Sequence, residues 1–426
     1  MVRLFVGGII AFGLFVSAAG IAEAQWTQTN EPSYASVSAL LSSGTYLFAG
    51  LGDGFMRGGG IYVSTDNGAS WYASDDGLKE AAYGSDTMDV VSLGIIGSRI
   101  LAGTYYGGPY TSDGWGNSWT QSSTGMTDTN GAPLGVPSFV VYGSSLLAGT
   151  FSLGVYVSVD SGRTWTADSS GLPGANGIYS TVNALAVSGN NLFAGTNRGL
   201  YESTNDGQSW APAQSPMDNY YIMAFAKIGA ELFAAGGGLF RSSDNGMSWT
   251  NISSYDFTSL AVDGTELFAS ELNSGVYLST DSGMSFTPVN TGLSGSAQNV
   301  NALSVSGGYL IAGTQQEGVW RRAISEMVTA VRGAGGMAPR AFSLEQNFPN
   351  PFNPTTTINY KLPRNVHVSL EVYDMLGRRV AVLVNEREDA GSYSVTFNGS
   401  GLASGVYFYR LEAGSFVSER KLAVVK

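Results

Sequence analysis

The chain has 426 residues, enough for two or three domains, with 58 glycines, 43% hydrophobic and only 13% charged residues. That apolar share excludes wholesale disorder and, with so much glycine, suits a turn-rich β protein. No cysteine is present, which excludes disulfides and a lipoprotein anchor, and the net charge of −12 argues against nucleic acid as a partner.

Residues 1–24 read as a secretory signal. Arg3 supplies the positive start, LFVGGIIAFGLFV the apolar centre, and AEA before Gln25 the small-residue cleavage site. Export without disulfides suits a bacterium and leaves stability to packing. No later segment reaches the roughly 18 apolar residues that span a bilayer, so no transmembrane segment is expected in the mature chain.

From Gln25 onward the pattern is repetitive. YLFAGL (46–51) recurs as RILAGT (99–104), SLLAGT (145–150), NLFAGT (191–196), ELFAAG (231–236), ELFASE (266–271) and YLIAGT (309–314). An alternating run such as VNALAV (182–187) precedes each copy, and a third run such as GVYVS (154–158) follows most of them. The serine ending that third run opens an acidic turn that closes on an aromatic residue: STDNGASW, SDGWGNSW, SVDSGRTW, STNDGQSW, SSDNGMSW and STDSGMSF. The aromatic residues fall at Trp71, Trp119, Trp165, Trp210, Trp249 and Phe286, at steps of 48, 46, 45, 39 and 37. Four short strands repeated at this period predict propeller blades, because one such sheet cannot bury both faces alone.

The seventh unit, 300–323, has three strands and no acidic turn. QWTQT (25–29) matches SWTQS (118–122), so Trp26 and its neighbours are expected to complete the last blade and close the ring. The fold class expected over 25–324 is therefore an all-β seven-bladed propeller.

The turn S-x-D-x-G-x-x-W resembles the Asp-box, or BNR repeat, of sialidases and other propellers. Asp66, Asp160, Asp244 and Asp281 hold the acidic position, Asn205 replaces it in the fourth turn and Gly114 in the second. The local chemistry is structural: the carboxylate accepts backbone N–H groups, glycine takes positive φ, and the ring packs between sheets. No metal role is assigned to these carboxylates. The resemblance places the turns away from the ligand face.

Beyond 325–341, which reads as a linker, 342–426 alternates strands and glycine turns and predicts a small Ig-like β-sandwich. NPFNPTTTINYKLP, YDMLGRRV and GLASGVYFYRLEAG resemble the C-terminal sorting domain of the type IX secretion system, the Por secretion tail. The resemblance implies passage through the periplasm and outer membrane, with the type IX machinery as partner, to a secreted or cell-surface location on a Gram-negative bacterium. Charge follows the division: residues 25–324 carry 23 acidic and 9 basic groups, a net of −14, and 342–426 carry a net of +1.

The one histidine, His367, lies in the tail, so the propeller has no Ser-His-Asp triad and no His or Cys metal site. No cofactor motif is found, and no catalytic residue is assigned. On the face of the second-to-third strand loops, Asp53, Arg57, Tyr105, Tyr106, Arg198, Tyr220, Tyr255, Glu271 and Glu317 are the candidate ligand contacts. Tyrosine rings stack on sugar faces and carboxylates accept hydroxyl hydrogen bonds. The expected function is non-catalytic recognition of an extracellular glycan or protein. A sialidase-like or polysaccharide-cleaving glycoside hydrolase is the alternative, against which stand the missing RIP motif and seven blades in place of six. An assembly factor is a third reading, opposed by export.

Overall fold

A computed structural model describes residues 25–32, 35–52, 59–78, 88–175, 178–333, 342–388 and 391–425. The signal expected over 1–24 lies outside these residues. Among them, seven four-stranded antiparallel sheets fall between Thr27 and Ala323. Blade 1 is built from Val37–Ser43, Tyr46–Leu51, Gly60–Ser64 and Tyr72–Ala73. Blades 2 to 6 repeat that order over 90–121, 138–167, 182–212, 224–253 and 257–288. Blade 7 joins 300–323 to the N-terminal strand Thr27–Gln28, which pairs with Val319–Ala323 in the register Thr27↔Arg321 and Gln28↔Trp320. The first strand of every blade packs against that of the next, and blade 7 against blade 1, so the ring is closed.

The second strand is buried along nearly its whole length because sheets press on both of its faces. In five of the seven blades a glycine near its end, at 50, 103, 149, 195 or 313, sets the spacing to the next blade, while Ala235 and Ser270 stand there in blades 5 and 6. A Cβ on Gly50 would lie 2.7 Å from a methyl of Val90 in blade 2, and one on Gly313 2.5 Å from Val37 in blade 1. The same close approach therefore serves both a mid-ring seam and the closing one.

Four seams carry a second device. The indole N–H groups of Trp119, Trp165 and Trp210 donate to the backbone carbonyls of Ser74, Ser122 and Asp168 in the preceding blade, at 2.7–3.0 Å. Trp26 does the same to Val289 at 2.7 Å. A Gly-Leu or Gly-Met turn of the preceding blade folds back over each ring, with Leu78, Met126, Leu172 and Leu293 buried. The Trp249 indole bonds its own turn at Gly246, and Phe286 has no N–H to offer.

The acidic turns cover seams from the opposite face. Gly68 sits against Ile311 of blade 7 and Leu47 of blade 1, and Gly162 against Leu101 of blade 2 and Leu146 of blade 3. Blade 7 has no such turn. Helix α1, Ile324–Gly333, takes the place, packing on the third strands of blades 6 and 7. The linker expected over 325–341 thus begins as a helix. Ile324, Met327 and Val331 recur at i, i+3 and i+7 and are buried with Trp26, Phe268 and Leu278. Residues 334–341 lie outside the described set.

The C-terminal unit is the expected β-sandwich. Ser343–Leu344, Thr355–Leu362 and Gly391–Asn398 form one sheet, and Arg379–Glu388, Val366–Tyr373, Gly405–Ala413 and Phe416–Val424 the other. Val366, Val368, Leu370 and Val372 alternate inward and meet Ile358, Tyr360, Tyr409 and Leu411 in one core. No helix among the described residues is long and apolar enough to cross a membrane.

Candidate functional site

On the face of the second-to-third strand loops, a cleft of about 380 Å³ opens between blades 3 and 4. Its walls come from three short pieces of chain. The blade 3 loop brings Phe151 and Ser152. A small hairpin, in which Gly174 pairs with Tyr179, brings Tyr179. The blade 4 loop brings Asn197 and Arg198. Backbone bonds hold the pieces in place: Tyr179 N–H donates to Ser152 O at 2.7 Å, Asn197 N–H to Thr181 O at 3.3 Å, and the Thr181 hydroxyl to Phe151 O at 2.6 Å.

Two polar groups in this cleft have no partner among the described residues. Asn197 Oδ1 is buried without a hydrogen bond, an arrangement that costs about 1–3 kcal/mol unless a ligand or water donates to it. Arg198 is exposed and forms no ion pair among the described residues, while its backbone N–H is fixed by Thr196 Oγ1 at 3.0 Å. The lining carries no carboxylate. The arrangement offers one cation, one acceptor, hydroxyls and two aromatic rings.

The structure divides the residues singled out from sequence. Tyr105 and Tyr106 meet edge to face at 4.5 Å, and Tyr105 reaches Phe151 at 4.8 Å, so both border the wall of the cleft holding Phe151. Arg198 lies in the cleft itself. Tyr220 packs on Phe240 at 5.6 Å, over Gly237. Asp256 accepts the Gly237 N–H at 2.6 Å, and Tyr255 beside it stacks with Phe257 and Tyr277. The Tyr277 hydroxyl donates to Glu271 at 3.2 Å. These three candidates therefore form a second patch, on blades 5 and 6. Glu317 accepts the Ser296 hydroxyl at 2.7 Å, which ties it to the connection entering blade 7. Asp53 and Arg57 lie outside the described residues. Phe151 and Ser152, in the loop FSLG, and Thr181, just before the first strand of blade 4, were not singled out from sequence: they are uncharged and carry no distinguishing chemistry.

The acidic turns use their carboxylates internally. Asp66 accepts Ser64 Oγ at 2.8 Å, Ser70 N–H at 2.9 Å and Ser70 Oγ at 2.5 Å. Asp160, Asp244 and Asp281 repeat this with Thr164, Ser248 and Ser285. Desolvation opposes ionisation of Asp66, but the hydrogen bonds from Ser70 and Ser64 outweigh it and hold the carboxyl at about 2. Asp160 and Asp244 are held below the usual carboxylate range by the same balance. Asn205 reproduces the bonds with its amide, at 3.0 Å from Ser209 N and 2.9 Å to Ser209 Oγ.

Fold and tail together define an exported propeller. Residues 346–425 match the family described as a secretion system C-terminal sorting domain. That domain directs the chain through the type IX system to the cell surface or the extracellular space, and implies contact with the type IX machinery. No curated protein matches the chain. Among solved structures it is similar to PorZ, an essential bacterial surface component of the type IX secretion system of Porphyromonas gingivalis (14% identity, TM-score 0.52, covering 92% of this chain and 60% of that one). The chain thus spans less than two thirds of PorZ. It is similar also to the GH74 enzyme of Niastella koreensis (13%, TM-score 0.55, 94% and 75%) and to YCF48 bound to D1 peptide (15%, TM-score 0.51, 71% and 97%). At these identities the likeness is one of fold.

Proposed function

We propose that the propeller is a non-catalytic recognition module, carried outside the cell by its sorting domain, and that it takes a glycan in the cleft between blades 3 and 4. The observation that carries this reading is the lining: Arg198 and the buried Asn197 Oδ1 stand unpaired beside Phe151 and Tyr179, with no carboxylate among them. A sugar supplies a ring face for the aromatics, a hydroxyl to donate to Asn197 and acceptors for Arg198. Tyr105 and Tyr106 extend the aromatic border past one sugar unit. Glycoside hydrolysis requires two carboxyl groups about 5–10 Å apart across the bond to be cut, and this lining offers none.

The same reading treats the acidic turns as Asp-box repeats with a local structural role. Its support is that Asp66, Asp160, Asp244 and Asp281 direct their oxygens into their own turns. It also divides the chain into a propeller with its α1 helix and a sorting sandwich from about residue 342.

The test is a polysaccharide and sialoglycan panel probed with the intact protein, with binding and product masses read together. Retention of a glycan without products, weakened at least 10-fold by Arg198→Ala, is the expected result. New products would establish a hydrolase instead. Retention unaffected by Arg198→Ala and Asn197→Ala would move the site elsewhere.

A further inference from the structure

The second acidic turn differs from the others in a way that creates a site. In five turns a side-chain oxygen of Asp or Asn, two residues after the opening serine, accepts the N–H of the hydroxyl residue four positions on. The distances run from 2.8 to 3.0 Å. The second turn keeps the backbone path: Gly116 N–H still donates to Ser112 Oγ at 3.0 Å, and Trp115 takes φ 55, as Asn67 takes φ 57 in the first turn. But Gly114 stands at the acidic position. Ser118, the counterpart of Ser70, Thr164, Ser209, Ser248 and Ser285, keeps its N–H and hydroxyl where the sister turns use them, with no acceptor among the described residues.

Those donors open into a cleft of about 400 Å³ at the rim between blades 2 and 3. Arg99 and Arg163 line the same cleft, two of only nine basic residues in 25–324. Arg99 is buried and held by Asp113 at 2.6 and 2.9 Å and by Ser161 O at 3.0 Å. Asp113 therefore balances Arg99, while the carboxylate of Asp160 is bound within its own turn. Arg163 is exposed on the same wall, its guanidinium donating to the Asp160 carbonyl at 3.1 Å and near enough to Asp113 to help lower that carboxyl; with Arg99, Asp113 and Asp160 the local charges balance, and Arg163 contributes an accessible charged donor rather than a net charge. Thr120 and Thr124, both exposed, extend the lining with hydroxyls.

We propose that this cleft binds the carboxylate of an acidic sugar. The carboxylate takes the position that Asp66 and its counterparts fill in the sister turns, accepting from Ser118 N–H and Oγ and facing Arg163. Ring hydroxyls of the same sugar meet Thr120 and Thr124. Charge-assisted bonds of this kind are shorter and stronger than neutral ones, and a cleft of this volume suits a small ligand. The site is separate from the Arg198 cleft and does not rest on that assignment.

The repeats also supply the test. Gly114 has ordinary negative φ, and a Cβ there meets only the flexible Asn117 side chain, at 3.3 Å. Gly114→Asp should restore the missing carboxylate. Titration calorimetry of the full chain with glucuronic acid, glucose and acetate should show binding of glucuronic acid, weaker binding of acetate and none of glucose. Gly114→Asp should abolish it and raise Tm, and Arg163→Gln should weaken it at least 5-fold with Tm unchanged. Undiminished binding to Gly114→Asp, or to Ser118→Ala with Arg163→Gln if the aspartate variant does not fold, would overturn the site. Acetate binding as tightly as glucuronic acid would overturn the sugar assignment. No binding of either acid would overturn both.

Discussion

The indole N–H of Trp26 donates to the carbonyl of Val289, 263 residues away, at 2.7 Å. One bond thus joins the N-terminal strand to the far side of the last seam. Arg322 donates to the same carbonyl at 3.0 Å, so loss of the indole does not leave the acceptor bare. Trp26→Phe should remove one buried hydrogen bond and some ring volume, about 1–2 kcal/mol. Trp71 is the natural control. Its ring is also buried, but its indole N–H has no partner among the described residues. Trp71→Phe removes no bond and relieves an unsatisfied donor, so its cost should be smaller by about 1 kcal/mol. Thermal denaturation of the two variants under one buffer compares them, and equal losses would show that Trp26 acts by volume alone.

The latch turns give a second contrast. Gly125 has φ +85, and a Cβ there would lie 2.1 Å from the Trp165 carbonyl oxygen. Gly97 has φ +61 in a hairpin with open space around it. Both alanine variants incur the left-handed penalty of about 1–2 kcal/mol. Only Gly125→Ala adds a clash with backbone, so it should lower Tm well beyond Gly97→Ala. Similar shifts would mean that the turn moves freely and does not clasp the ring.

How much of this could be read from the sequence depended on whether a feature repeats. The acidic turns and LFAG-like strands recur often enough, despite Gly114 and Asn205 at two acidic positions and steps that shorten from 48 to 37, that the blades were evident, and the match of QWTQT to SWTQS pointed to the closing strand. The latch was visible only as glycines in loops: DGL, TGM, SGL and TGL look ordinary until Trp119, Trp165, Trp210 and Trp26 are seen beneath them. Its absence where Trp210 steps to Trp249 and Trp249 to Phe286 accounts for those intervals, 39 and 37, being the shortest. Helix α1 was hidden because it occurs once, between a strand and glycine-rich chain. The Arg198 cleft was half legible: charge and tyrosine flagged Arg198 and Tyr105, while Phe151 carried no flag.

Helix α1 yields the third prediction. Met327 is fully buried at the seam of blades 6 and 7, whereas Ser325 is exposed on the same helix. Met327→Ala should cost about 2–5 kcal/mol, the range for a buried methionine, and Ser325→Ala well under 1 kcal/mol. If both leave Tm unchanged, the helix does not stabilise the ring and the blade 7 seam is held by other contacts.

The acidic turns set the response to acid. The folded Asp66 carboxyl sits at about 2, below its unfolded value near 3.9. Its contribution is therefore complete above about pH 4 and is lost as pH falls toward 2, because the unfolded chain takes up the proton first. Asp160 and Asp244 are lowered in the same direction. Tm should be flat from pH 7 to about 5 and then decline steeply. Asp66→Asn should cost little at pH 7, since Asn205 already makes the corresponding bonds, and should flatten part of the acid slope. An unchanged slope in that variant would mean that other carboxylates govern acid unfolding.

The last prediction separates the two aromatic patches of the loop face. Tyr105 touches Phe151, which lines the Arg198 cleft, whereas Tyr255 is stacked among Phe257, Tyr277 and Phe286 in blades 5 and 6. If the cleft holds the glycan, Tyr105→Ala should weaken retention about 5- to 10-fold by loosening the Phe151 wall, and Tyr255→Ala should leave it unchanged. Affinity electrophoresis in the retained polysaccharide measures both, with Tm recorded to exclude unfolding. The reverse pattern, loss with Tyr255→Ala and none with Tyr105→Ala, would transfer recognition to the patch of Tyr220, Tyr255 and Glu271. That patch presents carboxylates beside exposed rings instead of a cation, so the preferred ligand would then shift toward one that carries a positive charge.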